Sequence, residues 1–202
     1  ASQLPHLLQR TMACWIGVVS LVSLAIHRAG PTQCQTTQYG VPLPPPAQEH
    51  TPMIDWLSHH PHHSNTLAQW LHQQFHYEYA DQPLAQWQQA FAHGQTDGSL
   101  LSLIALDDNR LLGSASLARE DLPQRPDLGP WLACVFVTPE ARGQGIAEAL
   151  IEGVLAKAKA LGHTHLYLHT HDRADYYHKR GWQHVEQFQA WGKSHWLMQY
   201  PL

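Results

Sequence analysis

Val135-Phe136-Val137-Thr138-Pro139-Glu140-Ala141-Arg142-Gly143-Gln144-Gly145-Ile146-Ala147 carries three kinds of local structure in succession. Its first residues close an apolar run, Trp131 to Val137. Seven apolar residues in a row predict a central strand buried on both faces. Thr138 to Gly145 is then a short loop with two glycines. From Gly145 to Leu161 the pattern predicts an amphipathic helix, with Ile146, Leu150, Val154 and Leu161 on its buried face. Glu148 and Glu152 lie early and Lys157 and Lys159 late, which suits the helix dipole, and Gly162 closes the helix. Glycines let a ligand come close to the backbone. The free amides of the first helical turn point at one spot, with the positive end of the dipole behind them. The pattern therefore reads as a pyrophosphate cradle. It is neither common nucleotide loop: G-x-x-x-x-G-K-[ST] is absent, and no glycine completes Gly143-x-Gly145 three residues on.

Outward from this stretch, helix and strand alternate. Asn65 to Phe75 has helical spacing (Leu67, Trp70, Leu71, Phe75), with Ser64 or Asn65 as cap. Pro83 to His93 repeats it with Leu84, Trp87 and Phe91, and Gly94 and Gly98 are expected to end it. Leu100 to Leu106 and Leu111 to Ala118 read as a hairpin turning at Asp107-Asp108-Asn109. Pro123, Pro126 and Pro130 mark a loop. His165 to His169 predicts a strand and Arg173 to Arg180 a short helix ended by Gly181. Val185 to Trp191 and Ser194 to Tyr200 predict a final hairpin.

Arg142-Gly143-Gln144-Gly145-Ile146-Ala147 matches an R-x-x-G-x-A signature preceded by V-x-P-x-x-R. It resembles the acetyl-CoA loop of the GCN5-related N-acetyltransferase (GNAT) superfamily, over roughly Met53 to the C-terminus. The resemblance implies a mixed α/β, α+β-like single domain. Its central, mostly antiparallel sheet would be splayed at the acetyl-CoA strand and flanked by helices. It also implies that the backbone at Val135 and Val137 holds the pantetheine arm. The loop amides of Arg142, Gly143, Gln144, Gly145, Ile146 and Ala147 would bind the pyrophosphate. Within Ala174 to Trp182, the run from Tyr176 to Trp182 looks like the family's [FY]-Y-x-x-x-G-[FWY] segment. There the second aromatic, here Tyr177, protonates the departing CoA thiolate; Tyr176 is expected to pack in the core. Thr170 to Trp182 is locally similar to the actin N-terminal acetyltransferase branch. The implied reaction is direct acetyl transfer from acetyl-CoA to a primary amine in a ternary complex. The acceptor would be a small cationic amine or a peptide N-terminus. A non-catalytic acyl-CoA-binding or sensor module is the alternative.

The remaining candidates are open to two readings each. Glu120 and Asp121 end a hairpin strand and either face the acceptor amine, with Glu120 as a base, or form an exposed strand end. Asp172 is expected to cap the helix that follows it. Trp191 and Trp196 either wall the acceptor pocket or cover the sheet. His59-His60-Pro61-His62-His63 invites a metal reading, yet adjacent histidines rarely converge on one ion, so a solvated loop and no metal are expected. Cys134 reads as a small buried hydrophobe.

The whole chain has 202 residues, 12 Lys and Arg against 16 Asp and Glu, and a formal charge of -4, which disfavours a broad electrostatic grip on nucleic acid. Seventeen histidines and twenty glutamines supply polarity without fixed charge. Three cysteines form no C-x-x-C pair. The apolar run Met12 to Ile26 falls short of the roughly 20 residues of a spanning helix, so no stable membrane insertion is expected. Gln33 to Pro52 is rich in Gln, Thr and Pro and reads as a linker. Residues 1–52 are expected to be a leader or linker and 53–202 the domain, cytoplasmic and monomeric or homodimeric.

Overall fold

The computed structural model describes residues 51–202, so the expected leader lies almost entirely outside the described residues. Seven strands form one sheet in the order β1-β2-β3-β4-β5-β7-β6. They are β1 (Met53–Trp56), β2 (Leu100–Asp107), β3 (Arg110–Ala118), β4 (Trp131–Val137), β5 (His165–Thr170), β6 (Gln183–Ala190) and β7 (Lys193–Pro201). All neighbours are antiparallel except β4 and β5, which run parallel. The helices are α1 (Ser64–Gln74), α2 (Leu84–Asp97), α3 (Ile146–Ala160) and α4 (Ala174–His178).

Two apolar layers sandwich the sheet. On one face Leu67 and Leu71 of α1 and Trp87 and Phe91 of α2 pack with Trp131, Ala133, Cys134 and Phe136 of β4. On the other, Ile146, Leu150, Ile151 and Val154 of α3 pack with Leu132, Val135 and Val137. All seven residues of β4 are buried, as its unbroken apolar run requires.

Several local expectations are corrected. Gly94 does not end α2; it lies inside it, buried, where a Cβ would stand 2.6 Å from Leu100 Cβ. A helix brought that close to a strand has room for glycine alone, and Gly98, at φ 72°, ends the helix instead. Leu161 follows the last residue of α3 and is 53% exposed, off the buried face. Asp172 makes no cap: the N–H of Arg173 donates to Thr170 Oγ1 at 3.1 Å, and α4 is one short turn. The histidine run forms two short 3₁₀ turns, with His59 and His60 each 2.9 Å from the Asp55 carboxylate and His63 buried. Among the described residues no group of three or more His, Cys, Asp or Glu is placed to hold a metal ion. Nor is any described helix long and apolar enough to cross a membrane.

Candidate active site

β4 and β5 share a single paired position, Trp131 with Tyr167, secured by the Tyr167 N–H to the Pro130 carbonyl at 3.0 Å. Beyond it the strands part, while β5 stays paired with β7 through Thr170. The sheet is therefore split along the C-terminal half of β4.

A bulge decides what β4 offers to that split. Ala133 pairs with Ser116 and Phe136 with Ser114, so two residues of β4, Cys134 and Val135, oppose one of β3. Cys134 carries φ 54°. Its side chain stays on the α1 and α2 face with Ala133, and alternation restarts, placing Val135 and Val137 on the α3 face. Thr138 spends its N–H on the Leu112 carbonyl of the β3 side at 2.8 Å. By the two-residue period, the N–H and C=O of Val137 and Val135 then point into the split. Arg142 Nε donates to the Val137 carbonyl there at 3.1 Å, which leaves that strand edge its amides.

The strand runs into a 3₁₀ turn, Pro139–Ala141, and then into the glycine loop. Gly143 and Gly145 sit at φ 78° and 77°, and a Cβ on either would meet nothing within 4 Å. The space is thus open on the side from which the first amides of α3 emerge. A cleft of about 280 Å³ occupies it, lined by Val137, Arg142, Gly143, Gly145, Ala147 and Glu148, with Tyr176 and Arg180 of the α4 segment opposite. The cleft thus brings together the glycine loop, the start of α3 and the side chains of Arg142 and Arg180, with Glu148 also on its wall.

Tyr176 and Arg180 are four residues apart, so they share a face, and the guanidinium carbon lies 3.7 Å from the Tyr176 ring centroid. Arg180 Nε is also 3.7 Å from Glu148 of α3, tying the two walls of the cleft. Tyr176, expected in the core, thus lines the cleft, and Arg180 and Glu148 were not foreseen. The i, i+4 spacing of two large side chains on a short helix was the available signal.

Tyr177 is only 3% exposed, edge-on to Tyr176 at 5.3 Å and to Trp182 at 5.7 Å. Burial, with Tyr176 and Asp172 adding to it, pushes its phenol well above the usual range, so it stays protonated at neutral pH. Glu120 is exposed just past the end of β3, beside the closed end of β4 where Ala118 pairs with Trp131. Its neighbour Asp121 is buried, with Oδ2 3.5 Å from His169 Nε2. Trp191 stacks on His169 at 5.6 Å on the α1 and α2 face, whereas Trp196 belongs to the α3 face. A second hollow, about 390 Å³, opens on the far side of the end of β4, lined by Trp70, Gln73, Gln74, Phe136, Thr138 and Glu140.

The model of the acetyltransferase (GNAT) family matches residues 64–182. The chain belongs to the GNAT family. Solved structures agree on the fold. The PaiA N-acetyltransferase from Thermoplasma acidophilum, in complex with coenzyme A, is 17% identical and superposes with a TM-score of 0.54, covering 75% of this chain and 99% of its own. The aminoglycoside 6'-N-acetyltransferase from Enterococcus faecium is 17% identical, with a TM-score of 0.57 over 74% of this chain and 96% of that one. A GCN5-related N-acetyltransferase from Rhodopseudomonas palustris is 22% identical, with a TM-score of 0.52 over 75% and 96%. No curated protein sequence matches the chain significantly. The expected mixed α/β architecture, mostly antiparallel and split at β4, is the observed one. The local likeness to the actin N-terminal acetyltransferase branch gains no support from these relatives.

Proposed function

We propose that this GNAT protein moves an acetyl group from acetyl-CoA to a primary amine by direct attack within a ternary complex. The observation that carries the reading is the split itself: an unpaired edge of β4 leading straight into a glycine cradle at the start of α3. In this reading the amides of Arg142, Gly143, Gln144, Gly145, Ile146 and Ala147 receive the pyrophosphate. The edge groups of Val135 and Val137 hold the pantetheine arm. The Val137 N–H donates to the thioester carbonyl oxygen as it becomes an oxyanion, and holding both substrates in one cleft supplies further acceleration.

Tyr177 is assigned the proton that the departing thiolate takes up. A phenol with a raised pKa is a reluctant donor. The same dry surroundings raise the basicity of a thiolate that reaches it, so the two shifts partly cancel. A base must also take the proton of the ammonium. Glu120 is the expected residue and stands exposed to water, while Asp121 beside it is buried, which pushes its carboxyl well above the usual carboxylate range. No metal enters this scheme, and a cytoplasmic protein acting on small amines or peptide N-termini remains part of the proposal.

Calorimetric titration with acetyl-CoA, followed by thiol release with a panel of amines and peptide N-termini, tests the reading. Acetyl-CoA binding with amine-dependent CoA release is expected. Binding without release for any amine would support the acyl-CoA-binding alternative, and no binding would remove both.

A further inference from the structure

The bulge that turns the β4 edge into the split needs more than strand pairing to hold it. Cys134, at φ 54°, is in the left-handed region, which residues with a side chain rarely occupy. Neither Cys134 nor Val135 has a partner residue of its own on β3. The strand is buried on both faces, so no bulk water takes the place of a lost partner, and a bare carbonyl there is costly. One β3 side chain meets the need. Ser114 is fully buried, and its hydroxyl donates to the Cys134 carbonyl oxygen at 2.9 Å. Ser114 pairs with Phe136, which packs on the α1 and α2 face, so the hydroxyl reaches the bulge from that face.

The consequence is directional. The peptide joining Cys134 to Val135 is trans, so its C=O and N–H point in opposite senses. A carbonyl held toward Ser114 leaves the Val135 N–H aimed away from β3 and from the α1 and α2 layer. Gly113, the residue before Ser114, clears room for the same stretch. It pairs with Val137, and a Cβ on it would stand 2.5 Å from the Phe136 carbonyl oxygen and 3.2 Å from Val137 Cα. Any side chain there would push the end of β4 away from β3. The next serine on the same face, Ser116, has a different task. Equally buried, it shares a 2.8 Å hydrogen bond with Ser102, which Gln95 of α2 also contacts.

We infer that Ser114, with Gly113 beside it, is a positioning residue for acetyl transfer: its hydroxyl fixes the Cys134–Val135 peptide, and so the direction of the amides that Val135 and Val137 present to the thioester arm. The inference rests on the transferase reading. Ser114 acts through the backbone and not on the substrate. Its loss leaves both amides present but loosely aimed, so the effect is smaller than the fall of about a hundredfold to a thousandfold typical of deleting an oxyanion donor. The pyrophosphate end of the cofactor, held in this reading by the loop from Arg142 on, keeps its contacts.

The test follows the infrared stretch of the thioester carbonyl in acetyl-CoA isotopically labelled at that carbonyl, bound to the full chain without amine, together with CoA release with the amine panel. Binding to the wild type is expected to lower the stretching frequency, as donated hydrogen bonds polarise the carbonyl. Ser114→Ala should lose much of that shift and about tenfold or more in turnover, while acetyl-CoA affinity stays within about threefold. Ser116→Ala, the control for a lost core hydroxyl, should melt lower and keep both shift and turnover. Ser114→Thr and Ser114→Val are nearly isosteric and differ in the hydroxyl; only the Thr variant should keep the wild-type shift. A Ser114→Ala chain with the wild-type shift and turnover overturns the inference even if it melts lower, and so do equal losses in Ser116→Ala. If Ser114→Ala does not fold, equal shifts in the Thr and Val variants overturn it. A wild type that binds no acetyl-CoA refutes the transferase reading itself, whereas binding with no carbonyl shift overturns this inference and leaves cofactor binding standing.

Discussion

Replacing Gly145 with alanine separates what the loop conformation costs from what the cradle holds. Gly145 precedes α3 at φ 77°, a left-handed conformation that costs an L-residue about 1–2 kcal/mol. For a chain of this size each kcal/mol moves the melting temperature by about 2–4 °C, so a drop of roughly 2–8 °C is expected. The added methyl clashes with no protein atom, since nothing lies within 4 Å. It does occupy the space assigned to the pyrophosphate, so acetyl-CoA affinity should fall tenfold or more, about 1.4 kcal/mol. Gly162→Ala is the control. Gly162 has φ 84° and equally open surroundings, and it lies at the other end of α3. It should lose similar stability and no affinity. Calorimetry supplies both the melting temperatures and the dissociation constants. A Gly145→Ala protein that melts lower and binds acetyl-CoA as the wild type does would refute the cradle. Equal losses of affinity in both variants would show that strain, and not occlusion, is being measured.

Tyr177→Phe keeps the ring between Tyr176 and Trp182 and removes the donor. Turnover should fall by about tenfold to a thousandfold with acetyl-CoA affinity and melting temperature nearly unchanged, and wild-type turnover with chemistry rate-limiting would make the tyrosine a packing residue. Cys134 is fully buried, and burial pushes its thiol far up, so it should resist a disulfide reagent in the native protein and react only on unfolding, as mass-spectrometric mapping of the labelled site would read. Burial holds His169 at about 3, below its unfolded value near 6.5. Between those values the unfolded chain takes up a proton that the folded one refuses, so His169 makes stability fall as pH drops through that window. Asp121, with a raised pKa, acts in the opposite sense over part of it. His169→Phe should flatten the loss of stability between pH 7 and pH 5 in urea titrations; an unchanged slope would mean that His169 already carries its proton when folded.

Much of the fold was legible because its signals are short-range. Seven apolar residues need no partner to announce a strand buried on both sides, and Gly143, Gly145 and the apolar spacing after Ile146 mark a turn into a helix from backbone preference alone. The strand, loop and helix of the cradle, and the hairpins on either side, therefore stand where the sequence puts them. What the sequence leaves open depends on contacts distant along the chain. Strand β1, Met53–Trp56, exists because β2 pairs with it; four residues carry too little pattern to announce themselves. Gly94 reads as a stop, and only the approach of Leu100 makes it a helix-interior residue. Glu120 and Asp121 are adjacent and chemically alike, yet one faces water and the other an aromatic interior. Tyr176 and Tyr177 divide in the same way, one into the cleft and one behind it. Periodicity ranks neighbours by which way they point but not by what they meet there. The bulge at Cys134 carries this furthest, since one extra residue turns Val135 and Val137 to the α3 face and their amides into the split. An apolar run with no polar residue in it holds no mark of that shift; pairing with β3 and the departure of β5 impose it.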